Sequence, residues 1–464
     1  MGAAESKFQS GLALYQARDY EAAIRKFDAA ITEDPSFSEA YNNRGLAHRN
    51  LNHFEQALKD FDDAIRTEPS NAEAHINRGN THRLQNNLEF ALKDFDDAVR
   101  LDPSNPKAFF NRALVHRLQN HIQQALEDFD QALRLDPGYT LAVFNRGLTH
   151  LTKQNNIELA IGDFDEAIRL KPGYPEALNY RGVANMRRHN IELAIEDFSA
   201  ATRVKPTYAE AFNNRGVAYL RLHDLDRALD DFDEALRLDP ASALSFHDRG
   251  LAYRLQNNLD LAIDDFTDAL LINPALVDSR IARGVTYLMQ HDLDRALDDF
   301  DEALRINPTN AVALAHRGYA YLLQNELEQA LDDLNQAIEH NASLASAHNH
   351  RGFVHRLQDH PEQATSDFER AIQLAEQQLA AQPKDSRLLL VRGTALRNVG
   401  RFQEAITDLE SSISLNEYDS RARMELGLTH LALGNLPESQ RYFDEATRRL
   451  APSTNHPPPT LLPD

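Results

Sequence analysis

Arginine and aspartate recur in step along this chain, and no other pair of residue types is so regularly placed to interact. Arg44, Arg78 and Arg112 open a series that runs through Arg215 to Arg392. Asp60, Asp94 and Asp128 open one that runs through Asp231 to Asp408. Ser10 and Lys26 hold the corresponding places near the start, and Leu426 and Tyr442 near the end, so the two types are present together and absent together. A guanidinium and a carboxylate in fixed register suit a bidentate ion pair better than acid–base chemistry. Pairing each aspartate with the arginine that follows it would set Lys26 against Arg44 and Asp408 against Leu426. Pairing Arg44 with Asp60, Arg78 with Asp94 and Arg215 with Asp231 creates no such conflict and is the expected arrangement. Two other readings stay open: copied segments carry both residues whether or not they touch, and the arginines could grip an anionic ligand instead.

Other side chains are suited to holding a ligand. Asparagine recurs at Asn43, Asn77, Asn111, Asn145 and Asn214, and an amide offers both a donor and an acceptor. Arg49, Arg83 and Arg117 recur at the same interval before Leu151 takes their place, with Phe110, Leu114, Phe144 and Leu148 beside them. Nothing is arranged for catalysis: no glycine-rich phosphate loop, nucleophile elbow or metal-binding helix occurs. His48, His82, His116 and His150 share a column with Tyr219, Tyr253, Tyr287 and Tyr321, which points to a packed ring with a polar tip and not to a metal ligand. No enzymatic activity, cofactor or metal is expected.

The elements that position these residues follow from a period. Gly11, Gly45, Gly79, Gly147, Gly182 and further glycines to Gly427 return about every 34 residues, with Ala113 standing in once, and prolines from Pro35 to Pro308 keep step. A period in this range means stacked supersecondary repeats. In residues 38–71, Ala40, Tyr41, Gly45 and His48 share one helical face, and Ala57, Leu58, Phe61, Ala64 and Ile65 share another. The polar stretch around residues 50–53 is the turn, and Pro69 ends the second helix because it lacks an N–H. The small Gly45 and Ala57 let the helices approach, and Phe61 fills the space between them.

This pattern resembles the tetratricopeptide repeat family: glycine, alanine twelve residues on, an aromatic four beyond, alanine three further and proline after five more, as in Gly45, Ala57, Phe61, Ala64 and Pro69. About thirteen such repeats span residues 4–451. The resemblance implies an all-α, right-handed superhelical solenoid of antiparallel helix hairpins, with first helices lining a concave groove and the asparagine column facing it. First helices about 10 Å apart and a peptide rise of about 3.3 Å per residue would bring one asparagine to every third peptide residue. A similar asparagine ladder marks the repeat domains attached to a protein glycosyltransferase. The arginine row would make the groove partly cationic over repeats two to four, grading into an apolar pocket near repeats four and five, although Glu39 and Glu73 lie on a nearby stripe. The family's carboxylate clamp is not present as such: Asn80 and Asn111 match, but Ile76 and Leu141 occupy the lysine places and Asn145 the last one.

Two departures mark the chain. One residue is inserted near 152–155, in an expected inter-helix turn, and seven around 371–383, about two helical turns that keep a buried face in phase. The expected organisation is repeats one to eleven over 1–382, two further repeats over 383–452 and a disordered proline-rich tail at 453–464. With 464 residues, 42% hydrophobic, no cysteine and a net charge of −22, the chain fits a cytoplasmic protein that does not bind nucleic acid. No run of 18 apolar residues offers a membrane span. The expected function is a non-enzymatic scaffold that binds extended segments of an unidentified protein or peptide partner in the groove. The alternative is a self-associating repeat protein that uses its terminal repeats, where Leu426, Leu431, Leu433 and Tyr442 could leave an apolar end, or its acidic outer face.

Overall fold

The computed structural model describes residues 2–450, with side chains as far as residue 447. The tail at 453–464 lies outside the described residues. Twenty-six α-helices, and no strands, occur among the described residues. Consecutive helices pair as antiparallel hairpins, so the chain is a solenoid of thirteen tandem repeats. Packing divides it into two compact units, Met1–Val204 with six hairpins and Lys205–Asp464 with seven.

One hairpin shows why the sequence folds this way. Its helices are Ser38–Asn50 and Phe54–Thr67. The reversal between them is made at Asn52, whose φ of 60° is left-handed. Every hairpin has one such residue at this place: most are asparagine or histidine, and in the last two repeats it is Gly400 and Gly434, with φ of 82° and 76°. Asparagine tolerates this region better than most side chains. Phe61 is fully buried, and a Cβ on Gly45 would stand 2.7 Å from its ring. The glycine is therefore the price of a close helix approach with a phenylalanine wedged in it. Pro69 follows directly on the helix end at Glu68, as its ring disfavours helix in the residue before it.

In the first unit the inserted residue near 152–155 is absorbed at the end of helix Thr140–Thr149 by a π-helical turn, His150–Gln154, closed by Asn155 at φ 50°. A π turn takes one extra residue without breaking the helix. It also carries Leu151 into the core, where it is 1% exposed. In the second unit the seven-residue insertion lengthens one helix to Pro361–Ala381. Phe368, Ile372, Ala375 and Leu379 keep its buried face continuous, and it packs onto the next helix, Ser386–Asn398. Among the described residues no helix is long and apolar enough to cross a membrane.

Candidate binding surfaces on the inner walls

Within each unit, first helices of neighbouring hairpins touch one another, while second helices do so to no comparable extent. The first helices are therefore the closely spaced side, an inner wall. In the first unit that wall includes Ser38–Asn50, Ala72–Leu84, Pro106–Leu118 and Thr140–Thr149. Polar side chains stitch it together: Asn77 Nδ2 donates to Asn42 Oδ1 at 3.0 Å, and Asn50 Nδ2 to Tyr15 Oη at 2.8 Å.

The recurrent arginines lie behind the wall. Arg44 Nη2 reaches Asp60 of its own repeat at 2.5 Å while Arg44 Nη1 reaches Asp28 of the preceding repeat at 2.5 Å. Arg78 bridges Asp94 at 2.5 Å and Asp62 at 2.6 Å in the same way. In the second unit Arg215 Nη2 meets Asp231 at 2.6 Å, and Arg249 joins Asp265 and Asp233. Burial alone would lower the Arg44 guanidinium; its bonds to Asp60 and then Asp28 hold it above its ordinary range. With Asp60 and Asp94 buried at 3% and 2% exposure, these are clasps between hairpins and offer little to a ligand. The arm to the preceding repeat was absent from the sequence reading. Its signal is the second aspartate of Asp-Phe-Asp at 60–62, 94–96 and 128–130.

The asparagine column does not form one uniform ladder. Asn43, Asn111 and Asn145 each donate Nδ2 to the carbonyl four residues back in their own helix, at 2.8 Å. Asn77 is buried with its amide on Asn42. Asn214 lies half-buried in the second unit and is engaged in a polar interaction there.

The row formed by Arg49, Arg83 and Arg117 is different. All three are half-buried, one on each of three successive first helices, and among the described residues none has a carboxylate partner. Arg83 Nη2 touches Asn80 Oδ1 at 3.3 Å, and its Nε is buried without a partner. Burial lowers all three guanidiniums; the charge of Arg83 lowers Arg49 and Arg117 further, against Tyr15 and Tyr180. Leu84 and Leu118 stand exposed next to Arg83 and Arg117, at 57% and 56%. Phe110 and Phe144 are buried: Phe110 packs on Tyr139 and Phe129, Phe144 on Tyr174, Tyr180 and Phe164. Leu114 and Leu148 are half-buried against these clusters. The aromatic surface near repeats four and five is thus core, and the exposed apolar groups beside the arginines are leucines. At the far end of the second unit, Leu426 and Tyr442 are buried while Leu431 and Leu433 are about half exposed.

The inner wall of the second unit fills the same columns with other chemistry. Asp248 stands in the asparagine column and accepts a bond from Asn213 Nδ2 at 2.9 Å. Burial pushes its carboxyl up to about 6 against that bond. His316 and His350 follow in the same column, and Arg254 stands in the column of Arg49. Asp248, His316 and Arg254 carry no signal in a search of these columns for recurring asparagine and for the unbroken arginine row.

Comparison with known proteins agrees with the architecture. A profile described as "Tetratricopeptide repeat" matches residues 8–52, 42–106, 149–209, 360–413 and 390–454. Further profiles so described match 106–139, 209–242, 277–310, 300–332 and 243–276, and one described as "TPR repeat" matches 318–359. No curated protein matches the sequence. Among solved structures, the APC/C hetero-tetramer Cut9-Hcn1 aligns with a TM-score of 0.53 at 12% identity, over 98% of this chain and 95% of that one. YrrB, described as a TPR protein with an unusual peptide-binding site, aligns at 28% identity over 40% of this chain and 96% of that one, with a TM-score of 0.35. A tetratricopeptide repeat protein from Parabacteroides merdae aligns at 20% identity over 51% and 93%, with a TM-score of 0.44.

Proposed function

The chain belongs to the tetratricopeptide repeat family, and from that premise we propose that it is a non-enzymatic scaffold whose first-unit inner wall binds an extended, acidic segment of a partner protein. One observation carries the reading: Arg49, Arg83 and Arg117 are three neighbouring like charges, half-buried and without carboxylates. Such a row repels itself, and an anionic ligand relieves the repulsion. First helices about 10 Å apart match three residues of extended peptide, so the favoured segment carries an acidic residue at every third position. Leu84 and Leu118 offer apolar contact beside Arg83 and Arg117. The asparagines contribute less, since Asn43, Asn111 and Asn145 already bond their own helices. An acidic chain of net charge −22 confines attraction for acidic segments to such local rows.

The test is fluorescence anisotropy with a labelled peptide carrying glutamate at every third position, against the same peptide with glutamine. Changing Arg49, Arg83 and Arg117 together to Gln should weaken binding of the glutamate peptide by at least about tenfold, given roughly 1.5–3 kcal/mol for a hydrogen bond to a charged group. Equal affinity of the variant and the intact chain would overturn the assignment.

A further inference from the structure

The core of a repeat is closed by the repeat that follows it. Ala40 lies on the cluster around Phe27, Ala108 and Val115 on that around Phe95, and Ala177 and Ala184 on that around Phe164. These small residues come from the next first helix, and every ring or leucine in the Phe61 column from Phe27 to Leu409 is at most 2% exposed. The thirteenth repeat has no such cover among the described residues. Its second helix is Leu436–Leu450, and Phe443, in the same column, is partly exposed. Leu436 is 62% exposed, whereas Leu88, in its place in the third repeat, is half-buried on the cluster that Val115 completes. Met424 is 46% exposed, whereas Asn42, in its place in the second repeat, is buried and bonded to Asn77 of the next repeat. An apolar strip of Met424, Phe443 and Leu436 therefore runs along the last hairpin where a following first helix would lie.

The chain itself supplies an occupant of matching chemistry. Residues 451–464 leave the second helix at Leu450, next to the start of the first helix, Ser420–Ala432, and so at the Met424 end of the strip. They carry one charged side chain, Asp464, in a chain that is 26% charged, and two leucines, Leu461 and Leu462. Pro452 cannot continue a helix, and Ser453 and Asn455 favour a reversal. From Leu450 back to Leu436 the helix rises about 21 Å, at about 1.5 Å per residue. Leu461 follows Leu450 by eleven residues, about 34 Å at about 3.1 Å per residue in polyproline form, enough to turn and reach Leu436. Pro457, Pro458 and Pro459 have no N–H, so they can cover an apolar strip without burying an unpaired donor. A second copy suits the strip less well, since it would bring together two chains each at net −22.

We propose that residues 451–464 fold back along the last hairpin, on the course of a following first helix, and set Leu461 and Leu462 against Leu436 while Pro457, Pro458 and Pro459 cover Met424 and Phe443. The segment closes the end of the second unit's core and keeps that end from receiving another chain. Tethering favours it over a free partner, because a linked segment acts at an effective concentration on the order of millimolar. The proposal uses no residue of the arginine row and stands or falls without it.

The experiment uses the full chain. Cysteine is absent from it, so Thr460→Cys carries a single paramagnetic label beside Leu461. Methionine occurs four times, and methyl NMR reads Met424 with Met289, four repeats earlier, as the internal reference. The label should remove most of the Met424 signal and spare Met289, and adding Leu461→Ser with Leu462→Ser should restore it. Without a label, the same two serines should shift the Met424 methyl and speed amide exchange across 420–447 by about tenfold. Leu436→Ser should do the same from the other side of the contact, and the three changes together should do no more than either set alone. Circular dichroism of the tail variant should match the intact chain. The proposal is overturned if the labelled chain keeps Met424 as strong as Met289, or if the two tail serines leave both the Met424 methyl and the exchange unchanged. A Met424 signal that moves with protein concentration, with a doubled mass in sedimentation that survives the tail serines, would give the strip to a second copy and overturn it as well.

Discussion

The inner walls of the two units share a backbone plan and differ in how they gather charge. In the first unit, Arg49, Arg83 and Arg117 are neighbours along the wall, one per successive helix, and the outer two feel the charge of Arg83. In the second, the same column supplies Arg254, whose guanidinium is lowered first by burial and then by the charges of Arg421 and Arg387, five and four repeats further on. The asparagine column diverges too: Asn43, Asn111 and Asn145 in one unit, Asp248, His316 and His350 in the other. The lesson is that a repeat fixes the address of a side chain but not its electrostatics. Adjacency along a wall can be read from period and spacing; approach across a wall depends on how tightly the hairpins curve.

The sharpest way to break this contrast is to separate structural from ligand-facing arginines within one helix. Arg78 clasps Asp94 and Asp62, whereas Arg83, five residues on, has no carboxylate. Arg78→Gln leaves Asp94 buried without its cation and should destabilise by about 2–4 kcal/mol, the lower end reflecting partial exposure of the arginine. Arg83→Gln should cost less than about 0.5 kcal/mol or stabilise slightly, since it removes like-charge repulsion. Urea unfolding of both variants decides the matter, and similar losses for the two would erase the distinction.

A smaller effect should belong to the second unit alone. The Asp248 carboxyl is raised to about 6 by burial, so the folded state favours its protonated form. The resulting stabilisation is complete below the ordinary carboxylate range and is lost as pH rises through about 6. Asp248→Asn should therefore raise thermal stability at pH 8 by up to about 3 kcal/mol, at 1.36 kcal/mol per unit of pKa shift. At pH 4 it should change little. Thermal melts at both values test this, and an equal effect at the two would show that the charge is not the cause.

The smallest expected effect is on salt dependence. With intact Arg49, Arg83 and Arg117, affinity for the glutamate peptide should fall several-fold between about 50 and 200 mM salt, as partly exposed charges are screened on a Debye length near 10 Å. In the triple Gln variant that dependence should largely disappear, and an unchanged slope would show that these arginines do not carry the attraction.

Much of the hairpin was legible because its determinants are local. Gly45, Ala57, Phe61 and Pro69 lie within one repeat, and their spacing reports two helices, their close approach and their end. The turn was visible as a polar stretch, though not the left-handed Asn52 that closes it. The inserted residue near 152–155 was legible as an insertion, but its absorption as a π turn that buries Leu151 was not. Aromatic residues near repeats four and five suggested a pocket, yet Phe110 and Phe144 are covered by Tyr139 and Tyr174 from the loops that follow. A ring on an inward-facing column can pack sideways, and sequence spacing carries no record of that choice.

By itself, the sequence determined the repeat, its helices and the columns on which charge recurs, since each depends on residues a few turns apart and on steric rules that hold in any context. Only the tertiary structure decided that Arg44 reaches two aspartates from different repeats, that the amides of Asn43, Asn111 and Asn145 turn back on their own helices, and that Arg254 donates to the carbonyl of Ala282. Those outcomes depend on side-chain reach and on small rotations accumulated from hairpin to hairpin, which are set by packing between elements and not by the order of residues within one.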